Sequence, residues 1–181
     1  MGKFVVFTAQ KVRSVFDVLK FILGVLIIAF TSFCGYLLAG KYRKRKLFFR
    51  QLCEFNQRFL SEIDYYRRPI EEFAAGYAYK GEFHHLLETF FQGLENRSFF
   101  DRAYVNAPEY SFLKEDEKNT LEDYFLMLGR GDSSSQKGYF SSMKDKLILL
   151  STNAENAYKK YGDLYIKIGF LCGLLLLILI I

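Results

Sequence analysis

Residues Gln136–Ile181 read QKGYFSSMKDKLILLSTNAENAYKKYGDLYIKIGFLCGLLLLILII, and this stretch decides the fold. Apolar or small residues recur at Phe140, Met143, Leu147, Leu150, Ala154, Ala157, Tyr161, Leu164 and Ile168, at intervals of three and four throughout. Only a helix keeps such positions on one side, so the spacing predicts a heptad seam. No stop signal separates the seam from Ile168–Ile181, a run without a charged side chain. A packed helix is therefore expected to continue directly into a membrane anchor.

Fourteen residues of helix rise only about 21 Å, against a hydrocarbon core of about 30 Å. This short anchor must thin the bilayer, use Lys167 as a snorkelling end, or be shielded by neighbours. Gly169 and Gly173 form a small-xxx-small face that admits another helix at close range. The expected occupant is the first apolar segment or a second copy of the chain.

That first segment is Phe21–Gly40, twenty residues without a charge, preceded by an N-terminal extension at 1–20. Twenty helical residues span about 30 Å, which matches a bilayer core. The extension, with Lys3, Lys11, Arg13 and Lys20 among apolar residues, reads as an interfacial amphipathic helix or a simple lead-in. Tyr36-Leu37-Leu38-Ala39-Gly40 lacks an A-x-A-like cleavage site, so an uncleaved anchor is expected. Directly after it stand Lys41, Arg43, Lys44, Arg45 and Lys46, with Arg50 a turn further on. This basic collar outweighs the cations before the anchor and predicts that the chain from Lys41 onward lies on the cytoplasmic side. It is also suited to anionic lipid headgroups.

From the collar a second stripe runs through Phe48, Leu52, Phe55 and Phe59, then after a one-residue slip through Ile63, Tyr66, Ile70, Phe73 and Tyr77. It is the natural antiparallel partner of the C-terminal seam. Pro69 is expected to open a new helix at a bend, with Glu71 and Glu72 in its first turn. Glu82–Leu94 reads as a short amphipathic helix, and Asn96–Asn106 as a connection anchored by Phe99, Phe100 and Tyr104. Pro108 is expected to start a helix reaching about Leu128, with Leu121, Tyr124, Phe125 and Leu128 on one face. Gly129-Arg130-Gly131 ends it, and either Asp132 or a capping box in Ser133-Ser134-Ser135-Gln136 starts the final helix.

Composition agrees with this plan. The 181 residues are 51% hydrophobic, yet mean hydropathy is only +0.03, so apolar residues are gathered into segments. Only two prolines occur, which favours long helices. The expected architecture is all-α: a cytoplasmic bundle of long antiparallel helices at 41–167, tethered by transmembrane helices at 21–40 and 168–181.

Residues 41–58 hold seven basic side chains and one acidic, whereas residues 59–163 hold thirteen basic and eighteen acidic. An acidic body argues against nucleic acid as a partner. Cys34, Cys53 and Cys172 have no ligand spacing and read as reduced, buried small hydrophobes. His84-His85 point about 100° apart on a helix and do not form a metal site. Glu115-Asp116-Glu117 reads as solvated or first-turn acids. No phosphate loop, dinucleotide fingerprint or nucleophile elbow occurs, so neither cofactor, metal nor catalytic residue is expected.

Two stretches together resemble a known family. Leu60-Ser61-Glu62-Ile63-Asp64-Tyr65 followed by Pro69-Ile70-Glu71-Glu72-Phe73 resembles one signature of the stage III sporulation protein AB family of endospore formers. Leu128-Gly129, Asp132 and Gln136, then Ala157, Lys160-Tyr161, Tyr165, Gly169 and Gly173, resemble its C-terminal signature. The resemblance implies a non-enzymatic platform, similar to those of type II secretion systems and type IV pili, in the channel between mother cell and forespore. It implies as partners the ATPase stage III sporulation protein AA and other stage III channel components, with the mother-cell membrane around the forespore as location. Homo-oligomerisation and membrane lipids are further expected associations. Glu62, Tyr65, Pro69, Glu72, Gly129, Asp132 and Gln136 carry over as candidate interaction or structural positions. For Pro69, Gly129 and Asp132, the bend, stop and cap of a helix explain the residue types equally. The alternative function is a membrane-anchored accessory or anionic-lipid-binding protein outside sporulation.

Overall fold

Every described element is a helix. The computed structural model describes residues 2–65, 72–73, 76–96, 100–128 and 133–180, with side chains from residue 19 onward except at 64–65, 133–134 and 180. In order come α1 (Gly2–Tyr65), α2 (Gly81–Glu95), α3 (Arg102–Asn106), a 3-10 turn at Pro108–Tyr110 and α4 (Glu115–Leu128). Next are α5 (Ser133–Ala157), a π-helical turn at Tyr158–Gly162 and α6 (Asp163–Ile180). The chain divides into two compact units, one formed by Met1–Gly40 with Lys159–Ile181 and the other by Lys41–Tyr158.

The unit of residues 41–158 is built on rings. Phe48, Phe49, Leu52, Phe55 and Phe59 of α1 are buried, as are Phe83, Leu86 and Phe90 of α2. Leu121, Tyr124 and Phe125 of α4 join them, with Phe140 and Leu147 of α5. Phe59 meets Phe140 edge-on with centroids 5.0 Å apart, and Phe48 meets Phe83 at 5.5 Å. Such pairs contribute about 0.5–1.5 kcal/mol each beyond the area they bury. Phe59 lies by Phe140 while Lys46 reaches Glu155, so α1 and α5 run antiparallel as the two stripes predict.

Two helix starts are set by particular residues. Lys80, extended at φ −137°, is bracketed by the buried Gln51 amide, which donates to its carbonyl at 2.9 Å and accepts its N–H at 2.6 Å. Gly81 then turns the chain into α2 at φ +63°, a left-handed conformation that glycine adopts without a Cβ penalty. At α4 the Glu117 carboxylate accepts the Lys114 N–H at 2.9 Å, which caps the first turn. Pro108 does not begin the α4 helix as expected from sequence; it opens only the 3-10 turn, and the helix starts at Glu115, where this cap and three acids favour it. The expected connection at Asn96–Asn106 contains α3, whose N-cap Asp101 accepts from the Ala103 N–H at 3.1 Å.

The other unit is built the opposite way. Its tightly packed residues are small, and its outward residues are large and apolar. A Cβ added at Gly169 would stand 2.6 Å from the Thr31 carbonyl oxygen and 3.2 Å from Gly35 Cα. One at Gly35 would stand 2.6 Å from the Tyr165 carbonyl oxygen, and one at Gly173 would stand 2.8 Å from Ile28 Cα. The backbones of α1 and α6 therefore touch, as small residues allow. Outside this crossing Phe21, Leu26, Phe30, Leu171, Leu175 and Leu179 are exposed. Such an apolar exterior suits lipid rather than water. Two helical stretches, Leu19–Ile63 and Ser135–Leu179, are long and apolar enough to cross a membrane.

The C-terminal seam does not run straight through. Phe140, Met143, Leu147 and Ala154 are buried on it, but Tyr161, Leu164 and Ile168 are exposed at 36%, 45% and 44%. In the unit that contains residues 159–181, the inward residues of this segment are Gly162, Tyr165 and Gly169. The cysteines also depart from expectation: Cys34 and Cys53 are half-buried and Cys172 is exposed.

Candidate functional site

Three consecutive cations of α1 each grip a different helix. Lys44 Nζ meets Glu82 Oε1 of α2 at 2.6 Å. Arg45 is buried and forms a forked pair with Glu117 of α4, its Nε standing 3.1 Å from both carboxylate oxygens and its Nη2 bonding Oε1. Lys46 Nζ lies 3.6 Å from Glu155 Oε1 of α5 and 5.1 Å from the centre of the Tyr158 ring. Successive helical residues point about 100° apart, so three in a row reach three neighbours around one turn. Only the Arg45 pair is fully removed from water; Lys44 and Lys46 sit at the rim, where such pairs contribute about 0–1 kcal/mol.

The cations of the collar are not equivalent. Arg45 turns inward, and Arg50 lies 3.9 Å from Glu54 on its own helix. Glu117, read from sequence as a solvated or first-turn acid, is a first-turn acid that is buried. The signal for both was present in the spacing. Arg45 stands three residues before Phe48 in the frame of Phe48, Leu52, Phe55 and Phe59, and Glu117 stands four before Leu121 in the frame of Leu121, Tyr124 and Leu128. A charged residue in frame with an apolar stripe is placed in the core.

A second polar group lies deeper. The Tyr124 hydroxyl donates to Asn56 Oδ1 at 3.1 Å, and the Asn56 amide donates to the Phe140 carbonyl at 3.2 Å. Burial raises the Tyr124 hydroxyl well above the ordinary tyrosine range. Tyr110, also buried, is pushed up to about 12 by loss of solvent, with Glu109 and Glu82 adding to the effect. The trio of Asn56, Tyr124 and Phe140 joins α1, α4 and α5.

The remaining sequence candidates are dispersed. Glu62 is buried near the end of α1, Glu72 is exposed, and Gln136 is half-buried in the first turn of α5. Tyr65 ends α1, its side chain lying outside the described residues, as do Pro69, Gly129 and Asp132 altogether. Lys41 and Arg43 are exposed. Gly169 and Gly173 are brought together against α1, so their face is occupied within one chain. His84 pairs only with Glu88, at 3.3 Å, on an exposed face, and no cluster of metal-ligating side chains occurs among the described residues.

A clasped aromatic bundle joined to a pair of apolar, glycine-crossed helices defines an all-helical protein equipped for a membrane. The chain belongs to the Stage III sporulation protein AB family, whose model matches residues 20–181. The match begins where the N-terminal extension ends. No curated protein and no solved structure shows a significant match to the chain.

Proposed function

We propose that this protein is a non-enzymatic membrane scaffold of the stage III sporulation channel, holding its 41–158 unit in the mother-cell cytoplasm as a docking platform for the ATPase stage III sporulation protein AA. Family membership over residues 20–181 is the observation that carries this reading. It is supported by the glycine-crossed apolar pair, which suits a permanent anchor, and by the basic collar after the first apolar segment, which favours retention on the cytoplasmic side. Similarity to the platforms of type II secretion and type IV pili enters through the same family. The acidic balance of residues 59–163 would complement a basic partner surface.

The competing lipid-binding role draws on the collar, but Lys44, Arg45, Lys46 and Arg50 all meet carboxylates of their own chain. Deleting the gene in the source organism tests the sporulation role directly; heat-resistant spores at normal yield would remove it. Co-purification of the full chain with the ATPase tests the platform role. Failure to co-purify, combined with binding to anionic but not neutral vesicles, would transfer the assignment to lipid binding.

A further inference from the structure

The apolar run of α6 begins at Ile168, and contacts inside its own unit fix where along α1 this short run lies. A Cβ at Gly24 would meet the Leu177 side chain, one at Gly173 would meet Ile28, and one at Gly169 would meet Thr31 and Gly35. Gly35 in turn packs between Tyr165 and Gly169, which puts Lys167 at the level of Gly35. Beyond the contact of Gly24 with Leu177, α6 at Ile180 reaches the level of Phe21, so the two apolar runs are flush at that edge. The whole shortfall falls at the other edge. There α1 continues without a charge to Gly40, about 7.5 Å past Gly35, while α6 already carries Lys167 and Asp163.

Lys167 is exposed, and no carboxylate pairs with it among the described residues. Its neighbours on the α6 surface, Leu164, Phe170 and Leu171, are exposed and apolar. An ammonium in such surroundings keeps its charge by reaching polar groups, and its four-carbon stem carries it toward the nearer edge. Tyr36, exposed on α1 at the same level, is an aromatic of the type that settles at headgroup depth. We propose that Lys167 and Tyr36 mark a notch at this edge of the helix pair, into which the phosphate of one leaflet lipid descends to meet the Lys167 ammonium. The acyl chains of the same lipid cover Phe170 and Leu171, a contact that free phosphate does not make. Phosphatidylglycerol, which carries no ammonium of its own, suits the site better than phosphatidylcholine. The site rests on the membrane-anchoring part of the function proposed above.

The test is carbonate washing of membranes that hold the full chain, followed by native mass spectrometry of the detergent-purified chain with added lipid. The chain is expected to stay in the washed membrane and to retain phosphatidylglycerol in preference to phosphatidylcholine. Lys167→Met is expected to bind phosphatidylglycerol about fivefold more weakly. Lys167→Arg should bind as the native chain does, and Lys144→Met, which removes an exposed lysine of the other unit, should change nothing. Equal retention by Lys167→Met and the native chain overturns the site while leaving the anchoring intact. So does an equal loss in Lys144→Met, a loss in Lys167→Arg, or displacement of the lipid by inorganic phosphate. Release of the native chain by carbonate overturns both.

Discussion

Replacing Arg45 and Glu117 singly and together measures what holds α4 to α1. Arg45→Met leaves the Glu117 carboxylate buried with the Lys114 N–H as its remaining donor. Glu117→Leu leaves a buried guanidinium and also removes the cap of α4. Breaking one side of a buried pair costs about 3–5 kcal/mol, and losing the cap adds about 1 kcal/mol to the second variant. In the double variant neither charge remains, and apolar replacement of a buried pair is close to neutral. Its expected loss is therefore little more than the cap, about 1–2 kcal/mol. The cap appears in both Glu117→Leu chains and cancels from the coupling, so the two single losses together should exceed the double loss by at least about 5 kcal/mol. Urea unfolding of the full chain in mild detergent reads this through near-ultraviolet circular dichroism, where Tyr110 and Tyr124 report their packing and no tryptophan interferes. If the double variant loses the sum of the two singles, the residues are not coupled and the clasp is not what joins these helices.

Gly169→Ala forces a Cβ against the Thr31 carbonyl and should destabilise the α1–α6 pair by about 1–3 kcal/mol without preventing insertion, while Gly138→Ala, with open space around it, should stabilise α5 by up to about 1 kcal/mol; detergent melts of the two would have opposite sign. Leu147→Asp places a carboxylate in the buried seam and should cost several kcal/mol, so an unchanged melt would mean that this face of α5 is not core. Tyr79, Tyr110, Tyr124 and Tyr139 all ionise later folded than unfolded, because burial disfavours the phenolate. Their contribution is full below the ordinary tyrosine range near pH 10 and falls as pH rises through it, for Tyr110 up to about 12, since the unfolded chain loses these protons first. A spectrophotometric tyrosine titration that shows all thirteen ionising together near 10 before any unfolding would refute this.

Periodicity revealed much of the fold because apolar spacing is a direct record of which side of a helix is buried. Phe48 to Phe59, Leu121 to Leu128 and Phe140 to Ala154 were all readable in this way. Spacing misled where residue type and position disagree. Tyr161, Leu164 and Ile168 keep the spacing yet face outward, because beside a membrane an outward face must be apolar too and pattern no longer separates core from surface. Arg45 and Glu117 misled in the converse way: their charge suggested water although their frame placed them inside. Asn56 and Gln51 left no trace, since an amide that bonds to the backbone of a distant segment has no periodic signature. Pro108 misled because its fixed φ suits the first residue of a 3-10 turn as well as that of an α-helix.

A core made chiefly of phenyl rings is forgiving, for one ring fits against another in many offsets, and α5 could slide along α1 by a turn with little change in what it touches. The Asn56 amide removes that freedom. Shifted by one turn, about 5.4 Å, α5 would carry the Phe140 carbonyl out of its reach. The stranded amide would then cost about 1–3 kcal/mol, and more if the Tyr124 hydroxyl lost its acceptor as well. The buried phenylalanine rings supply adhesion without an address; one asparagine supplies the address.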